Sequence, residues 1–156
     1  MKQGDNVQEW VNNSCMRPNV MNSFPSQRLL VLAGTIASST AIIMIDSGAS
    51  RNFLSTKFTQ KISVKIDRTL KDKIRLADGH QVHGEGTAKS LRFHIGAYTA
   101  SANFSVTQLT QGYDAILGKT WLTRVNPQID WKSNIVTIKN KQGTVQLKGI
   151  SSKGNG

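Results

Sequence analysis

The apolar run Ala41-Ile42-Ile43-Met44-Ile45 ends directly in Asp46-Ser47-Gly48. A β-branched run of this length reads as a strand. The carboxylate, small hydroxyl residue and glycine after it place an acid on a tight loop at the strand's end. If that acid works as half of a pair, the other half is missing from the chain, because the tripeptide occurs once. The second carboxylate then has to come from an identical subunit, and dimerisation and chemistry become one question. A second short apolar group, Ala115-Ile116-Leu117, also ends in a glycine, Gly118.

The remaining pattern is that of a small β protein. Residues 1–26 are polar, contain Pro18 and Pro25, and hold no sustained hydrophobic period, so they read as a disordered linker. Residues 27–148 read as one domain and residues 149–156 as a flexible tail. Leu29–Ile36, a turn at Ser38-Ser39-Thr40 and Ala41–Ile45 form an expected hairpin. Ser55 is placed to cap a short helix running to Ile62, with Leu54, Phe58 and Ile62 on one face. Ala77-Asp78-Gly79-His80 lies between the strand-like runs Ile74-Arg75-Leu76 and Gln81-Val82-His83, and Asp-Gly tolerates the positive φ of a tight hairpin. Alternation at Leu91, Phe93, Ile95 and at Ala102, Phe104, Val106 predicts two half-buried strands. Trp121, Leu122 and Val125 show helical spacing that Pro127 should stop. Ile129, Trp131, Ile135–Ile138 and Val145–Leu147 supply closing strands. The expected fold class is all-β with two short helices, closed or sandwich-like.

A chain of 156 residues fits one domain that buries roughly 70% of its extended-chain surface. Its longest apolar runs fall far short of the roughly 20 residues a membrane-spanning helix needs, and the polar N-terminus lacks the apolar segment of a secretory signal. These features point to an intracellular protein without a membrane partner. Cys15 is the only cysteine, which excludes an internal disulfide and a cysteine-based metal site. The formal net charge of +11 attracts polyanions, but attraction is not recognition. Much of the excess lies in Lys57, Lys61, Lys65, Arg68, Lys71, Lys73 and Arg75, and the one aromatic within that run, Phe58, belongs to the apolar face with Leu54 and Ile62 rather than to a base-stacking surface. A solvated basic face with weak, nonspecific nucleic-acid attraction is the expectation.

Four ordered motifs together resemble the retropepsin family, in particular the proteases of Ty3/gypsy-type long-terminal-repeat retroelements, over about residues 28–140. They are Asp46–Ser50 followed by Asn52-Phe53-Leu54-Ser55; Leu76-Ala77-Asp78-Gly79; Tyr113–Gly118 leading into Trp121-Leu122; and Asn126–Trp131. The resemblance implies a homodimeric aspartic endopeptidase with one lobe per chain, acting on a peptide or polyprotein without a cofactor or metal, in the cytoplasm or within retroelement particles. It implies that Asp46 is the catalytic acid and that Ser47 reaches across the dimer axis. Gly48 lets the loop turn, and Ala49 lines the cleft floor. Ala77, Asp78, Gly79 and His80 form a flap over the peptide, Ile116 faces a substrate pocket, and Gly118 permits close packing behind the loop. The chain departs from viral members in having Ser50 and Lys119 where a bracing ion pair is common, and in its polar flap with His80, Gln81 and His83.

Other readings of the same residues are weaker. Ser47 lacks the Gly-x-Ser-x-Gly elbow of a nucleophilic hydrolase. His80, His83 and His94, without cysteine or a nearby acidic cluster, make a poor zinc set. Trp121 and Trp131 fit core packing better than ligand platforms, and Asp114 and Asp130 fit turn or strand-end positions. Besides the active enzyme, a domesticated or inactive peptide-binding or dimerisation domain and a basic nucleic-acid-binding protein stand as alternatives.

Overall fold

The computed structural model describes residues 29–69, 73–75, 81–109 and 112–150. Strands β1 (Leu30–Ile36) and β2 (Ser39–Ile45) pair as an antiparallel hairpin with Ile36 opposite Ser39. The turn is two residues, Ala37 and Ser38, with φ of 51° and 70°. It closes earlier than composition indicates, so Ser39 and Thr40 are strand residues. A two-residue turn with both φ values positive matches the right-handed twist of the flanking strands, and that geometry outweighs the turn preference of Ser and Thr.

Six strands close into a barrel in the order β1-β2-β8-β3-β7-β6, where β3 is Phe53–Ser55, β6 Gly86–Ile95, β7 Tyr98–Thr107 and β8 Ala115–Leu117. Strand β2 runs parallel to β8, and β3 lies antiparallel to β8 and parallel to β7. Among the described residues two helices accompany the barrel: α1 (Thr56–Thr59) and α2 (Lys119–Val125). Ser55 caps α1 by accepting from Phe58 N at 3.3 Å, but the helix ends three residues short of Ile62. Ile62 still packs, partly buried, against the core.

Strand periodicity explains why β1, β2, β3 and β8 are apolar on both faces. Leu30, Leu32, Ile43, Ile45, Leu54, Ala115 and Leu117 enter the main core, whereas their neighbours Val31, Met44, Phe53 and Ile116 enter a second cluster with Ala49 and Ile74. Successive side chains point to opposite faces, so a strand buried on both reads as a continuous hydrophobic run. Ile74 comes from the hairpin of β4 (Lys73–Arg75) and β5 (Gln81–His83), which lies over this second face. Each fully buried Leu, Ile or Phe in these clusters stabilises the fold by about 1.5–3 kcal/mol before entropy is charged.

Strands β6 and β7 shift register between Ala88 and Leu91, where Ser90 takes φ of 51° and donates from N to Asn103 Oδ1 at 2.8 Å. This bulge keeps both Ala88 and Leu91, three positions apart, on the core side. Beneath the barrel, Trp121 is 2% exposed, as its apolar pattern indicates, and donates Nε1–H to Tyr98 Oη at 3.2 Å.

A three-stranded sheet, β11-β10-β9, follows α2; β9 is Gln128–Asp130, β10 Ile135–Asn140 and β11 Gly143–Lys148. Trp131, expected in the core, is 56% exposed. Ile129 is the inward residue of β9 and the chain leaves the strand at Asp130, so Trp131 falls in the turn rather than on a buried face. Asp130 Oδ1 accepts from Lys132 N at 3.0 Å and Ser133 N at 3.2 Å and closes that turn. The first two residues assigned to the tail are tied to the body, with Gly149 N donating to Asn134 O and Ile150 N to Val31 O, both at 2.7 Å.

Candidate active site

Strand β2 carries the chain into the second apolar cluster and releases it at Asp46, whose N–H donates to Leu117 O at 3.1 Å. The loop then folds back on this acid. Gly48 N donates to Asp46 Oδ1 at 2.8 Å and Ala49 N to Asp46 O at 3.1 Å. Asp46 is only 7% exposed and Ala49 is fully buried, while Ser47 and Gly48 are open to solvent. An acid is thus held at the rim of an apolar cluster, with a backbone donor fixing one oxygen.

The segment Leu117–Lys119 packs behind this loop. Its three residues make three bonds to it: Leu117 O accepts from Asp46 N, Lys119 N donates to Ala49 O at 2.8 Å, and Gly118 N donates to Asn52 Oδ1 at 2.9 Å. A Cβ on Gly118 would sit 2.2 Å from Arg51 O and 2.7 Å from Ala49 O, distances no real side-chain carbon adopts. Backbone atoms of Ala49 and Arg51 therefore leave no room for a side chain at Gly118. Ile116, one step earlier, is fully buried in the cluster that also holds Ala49 and Ile74. The flap residues Ala77, Asp78, Gly79 and His80, and Lys71 in the basic run, lie outside the described residues.

Asn52 stands within the first motif, but the motif assigns it no role. It is 5% exposed and joins three elements: besides accepting from Gly118 N, its Nδ2 donates to Asn103 O at 3.2 Å and its carbonyl accepts from Ser105 N at 2.9 Å. The available signal was a lone amide at the entrance to the buried run Phe53-Leu54-Ser55, since a buried polar group must be hydrogen-bonded. It ties the two loops together at a place where Ser50 and Lys119 offer no opposite charges.

The other acids have structural work. Asp114 Oδ2 accepts from Ile42 N at 2.8 Å, and the two backbones exchange a further bond of 2.9 Å. Hydrogen bonds from the Thr69 hydroxyl and N–H, followed by Lys89 at 3.4 Å, hold the Asp67 carboxyl below the usual carboxylate range. The backbone N–H of Ser133, then its side chain and Lys132 N, does the same for Asp130. Lys57, Lys61, Lys65 and Arg68 are exposed along α1 and the segment after it. Among the described residues no three His, Cys, Asp or Glu side chains converge as a metal centre requires, and no helix is long and apolar enough to cross a membrane. His83 and His94 are exposed, and His94 Nδ1 lies 2.8 Å from Thr99 Oγ1.

Comparison with known proteins agrees with this geometry. The retroviral protease-like domain of Ddi1 from Leishmania major superposes with a TM-score of 0.60 at 19% identity, covering 81% of this chain and 97% of that one. At that identity the likeness is one of fold. Curated proteins contain no match to the chain. A family model described as the PEG10/RTL1 protease domain matches residues 42–146, about two thirds of the chain and all of the site described above. This chain is therefore a retropepsin-like protein that belongs to the PEG10/RTL1 protease domain family.

Proposed function

We propose that the protein is an aspartic endopeptidase in which two copies each contribute Asp46 to one catalytic pair. The observation that carries this reading is the Asp46 carboxyl itself: almost buried, fixed by Gly48 N–H, and mounted on a loop bonded at three points to Leu117–Lys119. A strongly positioned, desolvated acid beside an apolar cluster is the signature of a functional group.

Two carboxylates about 3 Å apart at an effective dielectric near 20 repel by about 5 kcal/mol, or roughly 4 pK units. They share one proton near neutrality, and their apparent pKa values belong to the pair. One carboxylate takes a proton from a water, which attacks the scissile carbonyl, while the other protonates the carbonyl oxygen. Collapse of the tetrahedral intermediate passes a proton to the leaving amine and restores the shared-proton state. Ser47, exposed beside Asp46, is assigned to contact across the two-fold axis, whereas the pocket role of Ile116, whose side chain is fully buried in the single chain, rests on the motif alone. The flap role of Ala77–His80 rests on the motif order alone.

The substrate on this reading is a polyprotein of a Ty3/gypsy-type element, supported by the order of the four motifs, and the compartment is the cell interior or the element's particles. Purified protein at micromolar concentration is tested against a peptide library with and without pepstatin. Cleavage should be pepstatin-sensitive and bell-shaped in pH with an acidic optimum, and Asp46→Asn should lower it by about 10²- to 10⁴-fold or more while leaving the dimer intact. Undiminished turnover in Asp46→Asn would refute the mechanism. Peptide binding and dimerisation without cleavage would assign the chain to the domesticated class.

A further inference from the structure

The loop that carries Asp46 meets the segment behind it through three hydrogen bonds, and two of them are backbone to backbone. The middle one is different, because Gly118 N–H is received by a side chain, Asn52 Oδ1, at 2.9 Å in a buried setting. The same amide reaches the other way, to Asn103 O at 3.2 Å. Asn103 sits opposite the β6 bulge, where its own side chain accepts from Ser90 N. Asn52 thus couples the acid loop at once to the turn behind it and to the bulged strand pair of the barrel wall. Resting on the proteolytic reading above, we propose that Asn52 is a positioning residue for Asp46. Its amide sets the height of Gly118 against the loop, and through Leu117 O, which accepts from Asp46 N, the angle at which the carboxyl meets its symmetry partner.

The chemistry requires an amide at this position. Oδ1 has to accept from Gly118 and Nδ2 has to donate to Asn103, and a neutral carboxamide offers one acceptor and two donors in one plane. An ionised carboxylate could satisfy Gly118 but would face Asn103 O with no proton to give. A protonated carboxyl could satisfy both. Asn52→Asp is therefore expected to behave as a pH-controlled substitute, close to the parent where its carboxyl is protonated and impaired where it is ionised. Asn52→Ala leaves both groups unpartnered at every pH.

The test measures kcat and KM per active site titrated with pepstatin, across pH, for the parent chain, Asn52→Ala and Asn52→Asp. Misplacement of a reacting group by about 1 Å can cost on the order of 100-fold. Asn52→Ala should lose about 10- to 100-fold in kcat with KM nearly unchanged, and its pH bell should shift because the coupling between the two Asp46 groups has changed. Asn52→Asp should steepen the alkaline limb of the parent's bell and move it to lower pH, because activity is then lost with ionisation of this carboxyl as well, and it remains informative if Asn52→Ala does not fold. Unchanged kcat per titrated site and an unchanged pH profile, with only a lowered melting temperature, would overturn the proposal and leave Asn52 as a structural tie. If the parent chain cleaves nothing, the proteolytic reading fails by itself. Titration of the Asp46 carboxyl carbon by NMR then decides the positioning claim: its midpoint moves in Asn52→Asp if Asn52 sets the carboxyl's surroundings, and stays put if it does not.

Discussion

Replacing Gly118 by alanine probes the contact on which the site depends with a single methyl group. Gly118 has φ of −103°, a value any residue adopts, so the substitution carries no left-handed backbone penalty and its cost is steric. The new Cβ would lie 2.2 Å from Arg51 O, 2.7 Å from Ala49 O and 2.9 Å from Arg51 C. All three are backbone atoms and cannot swing aside as a side chain would. Restoring ordinary contact, which begins near 3.4 Å, requires the acid loop to retreat by about 1 Å, at a cost of about 3 kcal/mol as overpacking against a rigid neighbour. At a denaturant slope of about 2 kcal/mol per M, the urea midpoint should fall by about 1.5 M, measured at one protein concentration because association adds to apparent stability. The retreat also breaks the geometry of Leu117 O with Asp46 N and of Gly118 N with Asn52, so kcat per titrated site should fall by about 100-fold. Gly34→Ala is the matched control: its Cβ would sit 2.2 Å from His94 O, on the β1–β6 seam away from the loop. It should lose comparable stability and keep kcat. A Gly118→Ala protein within about 0.5 kcal/mol of the parent, or one destabilised but fully active per site, would refute the packing argument.

Two further substitutions test the body of the fold. Tyr98→Phe removes the acceptor of Trp121 Nε1–H, 3.2 Å away in a buried setting, and should cost about 1–3 kcal/mol by urea titration, since a buried donor is left unpartnered; a loss below about 0.5 kcal/mol would show that the bond is unimportant. Asp130 has its folded-state carboxyl pKa lowered, chiefly by Ser133 N–H. The stability it contributes is therefore complete above the unfolded-chain value of about 3.9 and is lost as the pH falls through the lower folded value. Asp130→Asn should melt below the parent at neutral pH and show a shallower fall of melting temperature in acid; parallel curves would exclude a role for this carboxylate.

Elements that depend on local pattern were legible in the chain. The β1–β2 hairpin, the Ser55 cap, the β6 and β7 alternation and the stop after Val125 follow from periodicity and turn chemistry, which act over a few neighbouring residues. Errors arose where one neighbour decides between two environments. Trp131 looks like Trp121 in composition, yet one lies under the barrel and the other begins the turn after β9, because β9 ends at Asp130. The helix expected to reach Ile62 stops at Thr59, with Ile62 still packed against the core.

The sequence by itself determined that a strand would deliver Asp46 onto a glycine-containing loop, that most of the chain would be β, and that the acidic tripeptide would not be repeated. These are consequences of hydrophobic period and residue count, and no distant contact can alter them. Only the tertiary structure decided that Gly118 would be enclosed by Arg51 and Ala49, that β2 and β8 would be buried on both faces, and that Asn52 would join the acid loop to Gly118 and Asn103. Those pairings span 51 and 66 positions for the Asn52 side chain alone. They exist because barrel closure brings β3, β7 and β8 side by side, and an amide buried at that junction must satisfy its donors and acceptors with whatever backbone the closure places against it.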